Sequence, residues 1–323
     1  MIHRVKARAF ANIALSKYWG KASGTENRPA TPSISIALAG LVTETVVAKN
    51  TKNSDSFTLN GRRPQKHEVQ RMRDFLDLWR KRGLIRGHYR VSTDNDFPTA
   101  SGLASSSSGF AALAMALSGI SEKNLSVAEL SRLARMGSGS AARSIVGGVA
   151  RMPVSKNPDA QEIVSADDID WGMVIVEVEA PEKSISSREG MQLCAETSPY
   201  YKEWLKQAKL DYRALESAII RRDLEEVGKL TEANAMAMHA CMVASRPSLL
   251  YFNDVSLRVI QEVIRWRKKG LQVYFTMDAG PHLALLSKTS NLKKIANRAA
   301  KIKGVFSAQP SLPGGPAVIL EKS

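Results

Sequence analysis

The chain is poor in several residue types and motifs, and each shortage closes off a class of protein. Two cysteines, Cys194 and Cys241, stand far apart among 323 residues. That is no disulfide framework and fits a reducing compartment. The 5 histidines (His3, His67, His88, His239, His282) fall in no H-E-x-x-H pattern and meet no paired-cysteine spacing, so histidine-ligated metal chemistry is not expected. "MHAC", with His239 and Cys241, reads as packing. No G-x-S-x-G elbow occurs, which argues against a Ser-His-Asp hydrolase. No run approaches the ~18 apolar residues of a membrane span. The opening "MIHRVKARAF" lacks the apolar stretch of a secretory signal, so a cytoplasmic chain is the expectation.

What is present points to a packed protein. Hydrophobic residues make up 44% and charged residues 24%, which excludes wholesale disorder. At ~150 residues per domain the length suggests about two domains. The net charge of +15, from 46 basic and 31 acidic residues, allows two readings. One is nucleic-acid binding, which needs clustered basic residues. The other is an enzyme for strongly anionic small molecules. The basic residues are spread out in groups such as "RRDLEE" and "RWRKKG", which read as solvated helix faces. Charge alone does not decide.

Pattern along the chain gives strands for "RVKARAFANIAL", "SISIALAGLVTETVVAKN" (one or two strands), "DSFTLNGRRP" and "HYRVSTD". "QKHEVQRMRDFLDLWRKRG" has helical spacing with a glycine stop. "GFAALAMALSG" is an apolar helix, and "SVAELSRLARMG" opens with a capping box, Ser126 and Glu129. After the strand "WGMVIVEVEA" the composition turns helical, and a soft boundary falls near 180, dividing the chain into 1–180 and 181–323. "LQVYFTMD-AGP-HLALL" reads as two strands around a tight turn, "SNLKKIANRAAKIKG" as the last helix and "GPAVILEK" as the last strand. Strands and helices mix without a βαβα rhythm, so the expected class is α+β.

Four segments carry possible chemistry. In "DFPTASGLASSSSGFAALAMAL" a strand feeds a loop with Gly102 and Ser105 to Ser108, directly before an apolar helix. Helix N-terminal N–H groups attract anions, glycines let a phosphate approach, and hydroxyls bond phosphate or Mg²⁺. The plain alternative is a serine-rich helix cap. "RMGSGSAARSIVGG" repeats the logic with Gly137, Ser138, Gly139 and Ser140, and Arg143 a turn further on; its alternative is a glycine helix stop and a turn. "NIALSKYWGKA" sets Lys17 and Lys21 around Tyr18 and Trp19, and "EKSISSREGM" groups Lys183, Ser187 and Arg188 before a helix. Either could be solvated charge. Asp278, a lone acid ending an apolar run, could be turn chemistry or a reacting carboxylate.

Taken together, "NIALSKYWGKA", "DFPTASGLASSSSG", "SRLARMGSGSAARSIVGG", "SISSREGM", "ANAMAMHA" and "YFTMDAGPHLALL" resemble, in order, the motifs of the diphosphomevalonate decarboxylase family, a branch of the GHMP kinase superfamily. The resemblance runs from about residue 5 to the C-terminus. It implies a ribosomal-protein-S5-like N-terminal domain, a ferredoxin-like C-terminal domain and an active site in the cleft between them. It implies ATP and Mg²⁺, a 5-phosphorylated mevalonate as substrate, a homodimer, and no nucleic-acid or membrane partner.

By that resemblance, Pro98, Gly102, Leu103, Ala104, Ser105, Ser106, Ser107 and Ser108 hold ATP, with Ser105 and Ser106 also near Mg²⁺. Asp278, Lys17, Arg143 and Ser106 act on the reacting groups. Ala14, Tyr18, Trp19, Lys21, Ser138, Gly139, Ser140, Arg143, Ser187, Arg188 and Ala279 bind substrate. A tertiary alcohol is a poor leaving group that phosphorylation converts into a good one, so these residue types suit the reaction. The chain departs from the family pattern at Thr31, where Asn is usual, at Ser16, where an aliphatic residue is common, at two extra serines in "LASSSSG", and at His282, where Asn is usual. Asp278, Lys17 and Arg143 argue for decarboxylation over simple 3-phosphorylation. The family's usual substrate is the 5-diphosphate, with the 5-monophosphate as alternative. A remote alternative is an RNA-binding protein on an S5-like fold, marked by salt-sensitive retention.

Overall fold

The computed structural model describes residues 2–22, 26–97, 105–179 and 185–323. Its first part runs β1 (Arg4–Ser16), β2 (Ser33–Asn50), β3 (Ser56–Leu59), α1 (Lys66–Lys81), β4 (His88–Asn95), α2 (Ser105–Ile120), α3 (Val127–Gly137), α4 (Ala141–Val146), β5 (Val149–Met152) and β6 (Gln161–Val164). Then come β7 (Trp171–Val178), α5 (Ser187–Thr197), α6 (Tyr201–Ile220), α7 (Leu224–Val243) and α8 (Asp254–Lys268). The chain ends with β8 (Val273–Met277), β9 (Leu283–Lys288), α9 (Leu292–Ala299), β10 (Val305–Ser311) and β11 (Val318–Lys322).

Among the described residues the strands form two sheets. A 7-stranded sheet has the order β11-β1-β2-β4-β3, with β5 on the other end of β2 and β6 beyond it. A 4-stranded antiparallel sheet has the order β10-β7-β9-β8. The mix of sheets and helices without regular alternation is the expected α+β class. The sheets change between Val164 and Trp171, upstream of the division at 180 read from composition, and β11 returns to pair with β1. Local signals explain much of the helix placement. Ser126 and Glu129 close the capping box that starts α3, and Ser186 and Glu189 close another at α5.

Strand β7 shows how the layers meet. Trp171, Met173 and Ile175 face one core with α6 and α7, while Val174, Val176 and Val178 face the other with α8 and α9. Burial on both faces removes the alternation a half-exposed strand shows, hence the continuous apolar run. Strands β5, β6 and β10 were not legible in the sequence. The first two are 4 residues each. The third carries Pro310 and an exposed Phe306, tolerable because β10 is an edge strand. A further core, formed by α5, α6 and α7 with Trp19 and Ala279, lies beneath a cleft where the two halves face each other.

Candidate active site

The cleft is lined by the end of β1 and the segment after it, the start of α2, the loop from α3 to α4, the start of α5 and the turn after β8. Ala14, Lys17, Tyr18, Trp19, Lys21, Ser105, Ser106, Ser138, Gly139, Ser140, Arg143, Ser187, Arg188, Asp278 and Ala279 all line it. Motifs that stand up to 261 residues apart therefore share one wall system, as in the Lys17–Asp278 contact. Pro98, Gly102, Leu103 and Ala104, and Lys183 near the start of α5, lie outside the described residues.

Lys17 is buried, 1% exposed, and its Nζ donates to Asp278 Oδ1 at 2.6 Å and to Ala14 O at 3.0 Å. Burial pushes the Lys17 ammonium below its ordinary range despite Asp278 beside it. Asp278 keeps one third of its side chain exposed to the cleft. Gly280 N donates to Asp278 O at 2.8 Å, which tightens the turn that aims the carboxylate. Behind it, His239 Nε2 meets Met277 O at 3.3 Å. Burial holds His239 down to about 4, so it is neutral at ordinary pH and donates through Nε2.

Arg143 is the second buried cation lining the cleft, 1% exposed. Its Nε donates to Ser35 Oγ at 2.7 Å, another nitrogen donates to Ser33 Oγ, and a third reaches Asn12 Oδ1 at 3.4 Å. These partners are neutral. Burial pushes its guanidinium down to about 10, so it stays cationic, and among the described residues its charge is met by Asp278 through space. Such a group is costly until an anion arrives. Ser138 links the α3–α4 loop to the start of α2, its Oγ 3.2 Å from Ser106 Oγ and 3.3 Å from Ser140 Oγ.

The glycines of the "GSGS" loop serve close packing. A Cβ on Gly139 would stand 2.6 Å from Tyr18 Cζ, and one on Gly137 would stand 2.2 Å from the Phe110 ring. Tyr18 is thereby held against the loop, its hydroxyl donating to Asn27 O at 2.9 Å. Burial pushes its phenol up to about 12, so it acts as a neutral donor.

The serine run needs a correction. Helix α2 begins at Ser105, and Ser105 and Ser106 face the cleft, but Ser107 and Ser108 are fully buried. Ser108 Oγ accepts from Thr43 Oγ1 at 2.6 Å. The hydroxyls of Ser107 and Ser108 are turned into the protein, leaving only their backbone N–H groups toward an anion. Residues missed by sequence reading are Asn12, Asn27, His67, Arg71, Ser186, Met191 and Met238. His67 and Arg71 are four apart on α1, a spacing that puts both on one helix face. Asn27 is held in the left-handed region, φ 50, and its amide donates to Arg135 O and Met136 O. Its Oδ1 accepts from Lys21 Nζ at 2.8 Å.

The departures lie outside the cleft surface. Thr31 and Ser16 are fully buried. Thr31 Oγ1 donates to Lys17 O at 3.2 Å and accepts from Trp19 N at 3.4 Å. His282 Nδ1 accepts from Val178 N at 3.1 Å and so satisfies the end of β7.

A cleft walled by the end of β1, the start of α2 and the turn after β8, with converging cations on its walls, belongs to the GHMP superfamily. The diphosphomevalonate decarboxylase-like N-terminal domain matches residues 9–163, and the mevalonate 5-diphosphate decarboxylase C-terminal domain matches residues 173–312. The diphosphomevalonate decarboxylase of Saccharomyces cerevisiae is 32% identical over 322 residues, spanning 91% of this chain and 80% of the relative. The chain belongs to the diphosphomevalonate decarboxylase family. The crystal structure of mevalonate diphosphate decarboxylase from Staphylococcus aureus is 36% identical and superposes with a TM-score of 0.94 over 99% of each chain. The enzyme of Enterococcus faecalis, solved for its mevalonate diphosphate mediated ATP binding mechanism, is 35% identical, TM-score 0.90, over 99% of this chain and 100% of that one. A structure of the protein called MDDEF in complex with MVAPP, AMPPCP and magnesium is 35% identical, TM-score 0.91, with the same coverage.

Proposed function

We infer that this chain is an ATP-dependent decarboxylase that converts mevalonate 5-diphosphate to isopentenyl diphosphate, releasing ADP, phosphate and CO₂. One observation carries the reading: among the described residues, two fully buried cations, Lys17 and Arg143, face one cleft with a single ion-paired carboxylate, Asp278. Relatives of matching length carry the activity in their names, and a structural neighbour binds MVAPP and AMPPCP.

In this reading the C3 hydroxyl attacks the γ-phosphorus of ATP as Asp278 accepts its proton, and ADP leaves. Lys17 neutralises charge on the transferring phosphoryl group. The C3–O bond then breaks and phosphate departs with its electron pair. The C1–C2 bond breaks next, CO₂ leaves, and its pair closes the C2=C3 double bond. Asp278 passes its proton on to the new phosphoryl group, and as a carboxylate again it favours an electron-poor C3. Arg143, with Ser138, Gly139 and Ser140, holds the substrate carboxylate until it departs. Tyr18, Lys21, Ser187 and Arg188 hold the 5-diphosphate end, and Arg71 and His67 extend that wall. Ser105, Ser106 and the first N–H groups of α2 take the ATP phosphates.

Magnesium suits hydroxyl and phosphate oxygens. No group of three His, Cys, Asp or Glu among the described residues could hold a metal. The ion fits as a companion of the nucleotide, with Ser105 and Ser106 as its protein contacts, and supplies charge neutralisation at the phosphates. Among the described residues no helix is long and apolar enough to cross a membrane. Both cysteines are free thiols, which suits a cytoplasmic enzyme, and we expect a homodimer. Thr31 and Ser16, the departures nearest the substrate motifs, are withdrawn from the cleft, which favours the diphosphate over the monophosphate.

The test is a paired assay. Purified protein is given ATP, Mg²⁺ and either mevalonate 5-diphosphate or mevalonate 5-phosphate, and ADP and CO₂ are measured. ADP with CO₂ from the diphosphate is expected. ADP without CO₂ makes the protein a kinase, and neither product from either substrate ends the reading.

A further inference from the structure

Strand β1 stops at Ser16, so the backbone of Lys17 and of the residues after it leaves the sheet while still buried. Buried backbone polar groups must be paired. Here side chains from three distant elements do it. Lys17 N donates to Asn234 Oδ1 on α7 at 2.8 Å, Lys17 O accepts from Thr31 Oγ1, and Trp19 N donates to the same Thr31 oxygen. Trp19 O accepts from Trp204 Nε1 on α6 at 2.8 Å.

Asn234 is fully buried and could in isolation present either end of its amide to Lys17. Asp211 on α6 removes that freedom. Its carboxylate is 6% exposed and can only accept, and Asn234 Nδ2 donates to Asp211 Oδ2 at 2.8 Å. The Asn234 oxygen must then face Lys17 N. Gln207 Nε2 donates to the other Asp211 oxygen at 2.6 Å and holds the carboxylate in turn. This chain crosses from the helices of the second half to the end of β1 in the first.

We propose that Asn234, oriented by Asp211, is a positioning residue that sets Lys17 against Asp278, with Thr31 holding the Lys17 carbonyl. The inference rests on the decarboxylase reading for its kinetic consequence and on geometry alone for its structural one. It predicts an effect on the chemical step, because ground-state contacts to either substrate are not made by these side chains, while a displacement of ~1 Å in a reacting constellation costs about 100-fold.

The experiment compares Asn234→Leu, Asp211→Asn and Thr31→Val with the wild type, each checked for folding by its melting curve. Asn234→Leu should lower kcat about 30-fold with KM for ATP and for mevalonate 5-diphosphate within about 3-fold. Asp211→Asn still offers an oxygen to the Asn234 amide, since Gln207 can turn its own amide over, and should stay within about 3-fold of wild type. A folded Asn234→Leu with kcat within about 3-fold, or with its loss in KM, overturns the proposal. So does an Asp211→Asn variant as slow as Asn234→Leu. If Asn234→Leu does not fold, Thr31→Val decides: a lowered kcat at unchanged KM supports the proposal, and an unchanged kcat overturns it. A wild type that releases neither ADP nor CO₂ overturns the function and not this inference. The crystal structure of a folded Asn234→Leu or Thr31→Val then settles the positioning: Lys17 Nζ still 2.6 Å from Asp278 Oδ1 refutes it, and an opened contact supports it.

Discussion

Arg143→Met separates two roles for the buried guanidinium, because they predict different changes in stability. Burial lowers the Arg143 pKa from 12.5 to about 10. At ~1.4 kcal/mol for each tenfold change in proton affinity, the buried charge costs the ligand-free fold about 3 kcal/mol. The bonds to Ser33, Ser35 and Asn12 return ~1 kcal/mol net apiece, which roughly offsets that cost. Methionine fills much of the same volume without the charge. The ligand-free variant should therefore unfold within about 1 kcal/mol of wild type. Were Arg143 a structural ion compensated within the fold, truncation would cost ~3–5 kcal/mol. With ligand the order reverses. At 100 times Kd the wild type gains ~2.7 kcal/mol from bound mevalonate 5-diphosphate. Removing two charge-assisted bonds at ~1.5–3 kcal/mol each lowers affinity by about 150-fold or more. At the same ligand concentration the variant should gain under ~0.5 kcal/mol. Urea unfolding of both proteins, with and without ligand, reads all four numbers. A variant more than ~3 kcal/mol less stable without ligand, yet still gaining ~2.7 kcal/mol with it, would refute this account of the cleft.

Other outcomes follow from the same geometry. Asp278→Asn should lose more than ~2 kcal/mol of transition-state stabilisation, over ~30-fold in kcat/KM, and near-normal turnover would take Asp278 out of the mechanism. Burial first, then repulsion from Arg188 and Arg71, lowers Lys21 to about 8, so it is cationic below that pH and neutral above. In the free enzyme kcat/KM for the diphosphate should fall as pH rises through 8, and Lys21→Arg should move that limb upward; a limb that stays put assigns it to another group. Gly139→Ala should drive the Tyr18 ring from its seat at ~1–3 kcal/mol, seen as a raised KM for the mevalonate substrate, and an unchanged KM would show that the ring's seat does not matter.

How far the sequence could be read depended on whether a residue's role is local. Asp278, Lys17 and Arg143 are each left open by their own short motifs, and only the resemblance of several motifs in order singles them out; the fold brings all three to one cleft. The serine run shows the limit of reading letters without period. Successive helical residues turn ~100°, so four serines cannot all face one ligand. Ser105 and Ser106 line the cleft, while Ser107 and Ser108 are buried. His67 and Arg71 are not singled out because nothing in their own helix says that α1 borders the cleft; only the i, i+4 spacing puts them on a shared face.

The least legible feature is charge compensation, and it is the one that decides function. The composition gives +15 without saying which cations are neutralised. Arg80 meets Asp55 and Asp77, Arg151 meets Glu216, and Arg267 meets Glu232, so these arginines are spent within the fold. Arg143 has instead three neutral partners, and Lys17 shares Asp278 with the cleft. Sequence offers no sign of that difference, since partners such as Ser33 and Asp278 stand 110 and 261 residues away. A fold that buries two cations along one concavity and leaves their field open toward it tolerates a standing cost, and a multiply charged anion bound there removes it. That asymmetry, more than the total charge, separates a small-anion enzyme from a nucleic-acid binder, whose cations would lie exposed along a continuous face.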